Sequence, residues 1–217
     1  MEWNAVKRNY PNEQYQQSPW GEYFYKEVSS QRVLFFQEGW GKVAAAGATQ
    51  YVIDEFNPDV LINLGTCGGF EGAIKRGEIV LANETVIYDI KEAMGDSKEA
   101  IEDYKAHIDL AWVGEDFPYV NKSVLVSADK DLEPAEIEKL KSTYGAAAGD
   151  WESGAIAYTA IRNKKKILIL RGVTDLVNTS GGEAYGNFDL FAARADSVMT
   201  DLLIKLPTWI KHLERGN

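Results

Sequence analysis

The amino-acid sequence predicts an α/β protein, on three observations. Strand-like and helix-like segments alternate from residue 32 to the C-terminus. Two of the strand-like segments are strongly apolar: "VLINLG" at 60–65 is a continuous apolar run, as expected of a strand covered on both faces, and "KKILILRGVTD" at 165–175 is an apolar strand ending in Thr174-Asp175. The chain has 217 residues, 45% of them hydrophobic and 26% charged, which is enough and ordinary enough for one domain spanning 1–217 with a sizeable core.

Each element follows in order. The stretch before residue 29, rich in Asn, Gln, Tyr and Pro, reads as a short helix and then a long loop. "RVLFFQEG" (32–39) is a strand closed by Gly39. "KVAAAGATQYVIDEF" (42–56) carries its apolar residues at helical spacing and stops before Pro58, which disfavours helix at Asn57. After the strand 60–65 comes "TCGGF", then two strand-like runs within 77–90. Residues 91–121 have weak periodicity and read as loop with a short helix. A strand at 122–129 precedes a helix at 133–144 whose acidic residues come first and basic ones later, the order the helix dipole favours. A strand then runs into a small-residue helix through "GAAAGDWESGAIAYTAIRN", and after the strand 165–175 and the Gly-rich "NTSGGEAYGN" a long helix closes the chain over 189–213.

Several function classes are excluded or disfavoured. A net charge of −10 repels phosphate backbones, so no nucleic-acid partner is expected. The run "KKK" at 164–166 reads as a solvated turn. Cys67 is the single cysteine, which rules out an internal disulfide and fits a reducing, cytoplasmic setting. His107 and His212 lie far apart and no ligand spacing suggests a metal. No apolar run approaches the roughly 20 residues of a membrane span, and the first residues are unlike a signal peptide.

Ligands of α/β sheets bind beyond the C-terminal ends of strands, and three such ends carry unusual residues here. "GTCGG" (65–69) lets backbone N–H groups approach a ligand, although a plain tight turn reads equally well. "AGDWESGAIA" (148–157) sets Asp150 and Glu152 in a small, apolar run. Asp150 reads most simply as a helix cap, whereas Glu152 is better explained by a vicinal diol accepted as its partner. Asp175 ends the apolar strand before the Gly-rich loop; it either opens a turn or serves a pocket.

The order "GWGKVAAAGATQYVIDEFNPDVLINLGTCGGFEGAIKRGEIVLANETVIYDI", "VSAD", "GDWESGAIA", "LRGVTDLVN" over residues 39–178 resembles the nucleoside phosphorylase/nucleosidase superfamily, most closely the 5'-methylthioadenosine/S-adenosylhomocysteine nucleosidases. The resemblance implies a three-layer α/β/α sandwich with a central mixed sheet, a homodimer, no cofactor or metal, and a small purine nucleoside as partner. It implies hydrolysis of an N-glycosidic bond with release of adenine. Glu152 then holds the ribose 2'- and 3'-hydroxyls, Asp175 donates a proton to purine N7, and Glu2, the one match for the family's third carboxylate, positions the attacking water. Thr66, Cys67 and Gly68 line the ribose and water, Thr174 stands beside the acid, Leu132 lies near the base, Trp151 near the sugar, and Phe188 packs over the nucleoside.

Two competitors stay open in the sequence: a phosphate-dependent phosphorylase, and a nucleoside-binding homologue without turnover. The family's phosphorylases carry an arginine directly before the Gly-rich loop, where this chain has "LINL", and Arg8 and Arg32 stand in other contexts. Water is therefore the expected nucleophile. The family also opens with a buried strand ahead of the glutamate. Here the sequence starts at the glutamate itself, which predicts exposed sheet edges and a glutamate on a frayed terminus; a misplaced start and a shortened homologue with an open pocket and reduced or lost activity both stay open.

Overall fold

A computed structural model describes residues 1–215. The chain runs through α1 (Glu2–Asn9), β1 (Gln16–Gln17), β2 (Glu22–Val28), β3 (Gln31–Phe36), α2 (Gly41–Phe56), β4 (Val60–Phe70), β5 (Ile79–Ile87), α3 (Lys98–Asp103), β6 (Ala106–His107), β7 (Asn121–Ser127), α4 (Ile137–Tyr144), β8 (Ala146–Asp150), α5 (Ser153–Arg162), β9 (Lys166–Asn178), β10 (Gly181–Gly182) and α6 (Phe188–Arg215). The predicted N-terminal loop is corrected in part. Residues Gln16–Gln17 and Glu22–Val28 are strands, and Phe24 is buried while Tyr23 and Tyr25 on either side of it are only partly covered. The two strand-like runs at 77–90 form one strand, β5.

β1, β2 and β3 make a small antiparallel sheet. The main sheet is mixed, in the order β10-β9-β4-β8-β7-β5-β6. β4 runs parallel to β9 along its whole length, and β5–β7 and β7–β8 are parallel pairs. β5 also crosses back to pair antiparallel with β9 at Ile79–Leu81, so the central strands close on themselves. Strand alternation sorts the core into layers. Leu168 and Leu170 of β9 face α6, packing with Leu202, Leu206 and the fully buried Trp209. Ile167 and Ile169 face the other way, toward Ala45 of α2 and Ile156 of α5. This is the three-layer arrangement expected from the sequence. No helix among the described residues is long and apolar enough to cross a membrane.

The exposed edges are present. Among the described residues β3 pairs only with β2, and the Val60–Cys67 part of β4 pairs only with β9. A cavity of about 1090 Å³ lies between these two edges.

Candidate active site

The glycines of "GTCGG" are part of β4, not a turn, and they bring the strand against its neighbours. Gly68 pairs with Gly149 of β8 on one side and with Asp175 of β9 on the other. The β4–β9 register slips between Cys67 and Gly68: Cys67 faces Val173, Gly68 faces Asp175, and Thr174 is the extra residue. Such a bulge re-aims side chains. In a regular strand Thr174 and Asp175 would point to opposite faces, yet both are buried and touch each other. The Thr174 hydroxyl stands 2.8 Å from Asp175 Oδ1 and 3.2 Å from the Cys67 carbonyl, with one proton to give to either. Burial raises the Asp175 pKa, and the Thr174 hydrogen bond and the Arg194 charge only partly oppose that rise.

Glu2 is not frayed. Its Oε1 accepts from the Thr66 amide at 2.6 Å and the Thr66 hydroxyl at 2.7 Å, which ties the start of α1 to the middle of β4. Glu152, just beyond β8, accepts from the Gly41 amide at 3.2 Å. Burial pushes its pKa up to about 7, with Arg171 pulling the other way. Arg171 was not singled out from the sequence, although a charged residue inside "KKILILRGVTD" poses the same question as Asp150. It is 1% exposed and lies across β4 beside Gly65, where a Cβ would come within 2.0 Å of its Nη1. Its Nε donates to the Ser153 hydroxyl at 2.9 Å and stands 2.9 Å from Asp150 Oδ2 as an ion pair; its Nη1 is 3.7 Å from Glu152 and its Nη2 3.9 Å from Glu38. Glu152 thus has a cation within reach, a correction to the expectation that only a diol would satisfy it. Asp150 also accepts from the Ser153 amide, the first residue of α5, at 3.2 Å, while the N-cap position itself is held by Glu152, whose side chain makes no cap hydrogen bond.

Glu38 is a second group the sequence reading passed over. It accepts from Asn63 Nδ2 at 3.1 Å, and burial pushes its pKa up to about 8. Four carboxylates (Asp150, Glu152, Glu2 and Glu38) act on the one guanidinium.

The remaining predicted residues divide. Leu132 packs against two strand glycines: its methyls lie over Gly68 and Gly149, where a Cβ would meet them at 2.9 and 2.6 Å. The Tyr185 hydroxyl donates to the Leu132 carbonyl, bringing in an aromatic that the Gly-rich loop concealed. Trp151 packs on Trp40 with ring centroids 5.4 Å apart, next to the Gly41–Glu152 contact. Cys67 buries its side chain in the apolar cluster with Ala45, Ala148 and Val173. Burial also raises its thiol pKa strongly, which leaves it no nucleophile. Phe188 is 70% exposed at the first turn of α6, and no residue of the cluster covers it.

Comparisons with known proteins give the family and the fold. The phosphorylase superfamily model matches residues 2–206. A 5'-methylthioadenosine/S-adenosylhomocysteine nucleosidase of Maridesulfovibrio salexigens is 30% identical over 79% of this chain and 80% of its own. Another from Staphylococcus saprophyticus is 31% identical over 84% of this chain and 86% of its own. The nucleosidase of S. pneumoniae, solved with a transition-state inhibitor, shares the fold with a TM-score of 0.78 at 21% identity, covering 98% of this chain and 95% of that one. The chain belongs to the phosphorylase superfamily and, within it, to the 5'-methylthioadenosine/S-adenosylhomocysteine nucleosidases.

Proposed function

We propose that the protein hydrolyses the N-glycosidic bond of 5'-methylthioadenosine- or S-adenosylhomocysteine-like nucleosides and releases adenine. The observation that carries this reading is the cluster of carboxylates about Arg171: Asp150, Glu152 and Glu38 stand 2.9, 3.7 and 3.9 Å from its guanidinium. Breaking the bond builds positive charge on the sugar and negative charge on the leaving purine. A site rich in carboxylates favours the first, and a protonated carboxyl serves the second. Asp175, whose burial favours the protonated form, gives its proton to purine N7 as the C–N bond breaks. Water adds to the anomeric carbon, and the free oxygen of Glu2 orients it and takes its proton. Glu152 accepts from the two ribose hydroxyls. The backbone of Thr66, Cys67 and Gly68 lines the sugar and Leu132 the base; Thr174 holds the acid, Trp151 flanks the sugar, and Phe188 closes over the bound nucleoside. The same charge argues against phosphate as nucleophile, since Arg171, the one buried cation among the described residues, is already shared among carboxylates. No cofactor or metal enters this chemistry. Exposed Trp40 and Val43, beside the Gly41–Glu152 contact, support pairing of two copies as a homodimer, and the single buried thiol fits a cytoplasmic setting.

The test is chromatographic detection of free base from 5'-methylthioadenosine, S-adenosylhomocysteine, adenosine and inosine, each with and without phosphate. Adenine release independent of phosphate is the expected result. Release only with phosphate makes the protein a phosphorylase, and binding without release makes it a nucleoside-binding protein; either one overturns the proposal.

A further inference from the structure

Tyr185 ties two distant loops together beside Asp175. The loop 179–187, which contains β10, is anchored on one side to β9. Gly182 pairs with Val177, and the Glu183 amide donates to the Leu176 carbonyl at 3.0 Å. The Glu183 carboxylate accepts from Arg76 and from Arg194, each at 3.0 Å. Ala184 comes next, 8% exposed, and its backbone hydrogen bond acts on Asp175. Tyr185 then reaches out of the loop, and its phenol donates to the Leu132 carbonyl. The Leu132 methyls lie over Gly68, and Gly68 faces Asp175 across β4 and β9. The contacts therefore close a circuit that starts and ends at Asp175.

Two further observations show that this contact is built into the chain. A Cβ on Gly182 would stand 2.4 Å from Cε1 and 2.5 Å from Cδ1 of the Tyr185 ring. Unlike Gly181 and Gly186, with φ of +138° and +73°, Gly182 has no left-handed backbone to excuse it, so what it makes room for is the ring. Burial, with Asp131 and Asp175 nearby, also pushes the Tyr185 pKa up to about 12, so the phenol keeps its proton and stays a donor.

We propose that Tyr185 is a positioning residue for the general acid: its phenol latches the loop 179–187 onto the Leu132 carbonyl and so keeps water away from Asp175. The groups that bear on Asp175 come from four places: the Thr174 hydroxyl of β9, Arg194 of α6, the Cys67 thiol of β4, and Glu183, Ala184 and Tyr185 of the loop. Burial is the largest influence and raises the pKa, whereas the Thr174 hydroxyl, Arg194 and the Ala184 backbone lower it. Opening the loop removes the burial first, so an unlatched Asp175 ionises at lower pH. This inference rests on Asp175 being the acid of the proposed reaction.

The test compares the full chain with Tyr185→Phe, which keeps the ring and drops the donor, and Gly182→Ala, which displaces the ring and keeps the phenol. The Asp175 carboxyl is titrated directly by carboxyl-carbon NMR of isotopically labelled protein, with Asp175→Asn identifying its signal. Both variants are expected to move that titration toward the ordinary aspartate range and to speed amide exchange at residues 183 and 185 by about tenfold. The fall of kcat with rising pH should shift to lower pH in step, with KM little changed. An unshifted titration in an active Tyr185→Phe overturns the latch alone. A shift in Gly182→Ala with none in Tyr185→Phe assigns the effect to the ring and overturns the role of the phenol. Shifted titrations in a chain that releases no base overturn the proposed reaction and, with it, the service of Tyr185 to an acid. Tyr185→Phe decides the matter by itself if Gly182→Ala does not fold, since the Tyr185 side chain is partly exposed and its ring is kept.

Discussion

At the scale of single residues, the site depends on where protons are held. Asp175 is buried beside Thr174, and its pKa stands above the ordinary carboxylate value. Asp175→Asn keeps the shape and removes the transferable proton, so steady-state assays should show a loss of about 10²–10⁴-fold in kcat with little change in KM. In the unmodified protein kcat should fall as pH rises and Asp175 ionises. Glu152→Gln should lower turnover and raise the KM of ribosides more than that of 2'-deoxyribosides, while the far-UV circular dichroism stays the same. Unchanged kinetics in either variant would remove that residue from the mechanism. The sequence made these carboxylates visible because acidic side chains in apolar surroundings need a reason. The same rule applied to Arg171 would have exposed the hub that joins them, but its charge hides inside a strand otherwise made of Ile, Leu and Val. Glu38 gave no such signal, since "QEG" reads as a strand's polar end.

At the scale of elements, β8 and α5 meet at one carboxylate. Asp150 accepts from the Ser153 amide at the start of α5 and from the Ser127 hydroxyl of β7 at 2.6 Å, and it pairs its charge with Arg171 of β9. Asp150→Ala leaves a buried guanidinium partly unpaired and the buried Ser153 amide without its acceptor, so urea unfolding should show a destabilisation of about 3–5 kcal/mol. Strands and helices from residue 32 onward were legible because their periodicities are strong. β2 was not: "EYFYKEV" does alternate, but the Gln, Asn and Pro around it look like loop, and its stability comes from aromatic stacking across strands, with Phe24 and Phe35 4.8 Å apart. The bulge at Thr174 also has no sequence signature. It appears only when two strands are laid side by side.

At the scale of the whole molecule, burying carboxylates inverts the usual dependence of stability on pH. Glu38 is raised from 4.5 to about 8 and Glu152 from 4.5 to about 7, both through burial. Between those limits the folded chain holds more protons than the unfolded one, so stability is full below about pH 4.5 for these groups and declines as pH climbs toward 8. Thermal unfolding should therefore show Tm falling from pH 5 to pH 9, and Glu38→Gln should flatten that fall, with its gain at pH 9 rather than pH 5. A gain that does not change with pH would mean that the carboxyl group is not the cause.

Cys67 lends the molecule a clock. It is the lone thiol, it sits on β4 between the residue that holds Glu2 and the glycine that faces Asp175, and it is 4% exposed. A disulfide reagent added to the native protein can react only when β4 leaves its place, so the labelling rate counts openings of the strand on which the carboxylates depend. The rate should lie orders of magnitude below that of the denatured chain, and a bound nucleoside should slow it further. Labelling as fast as in the denatured chain would mean that the strand under the site is never firmly closed.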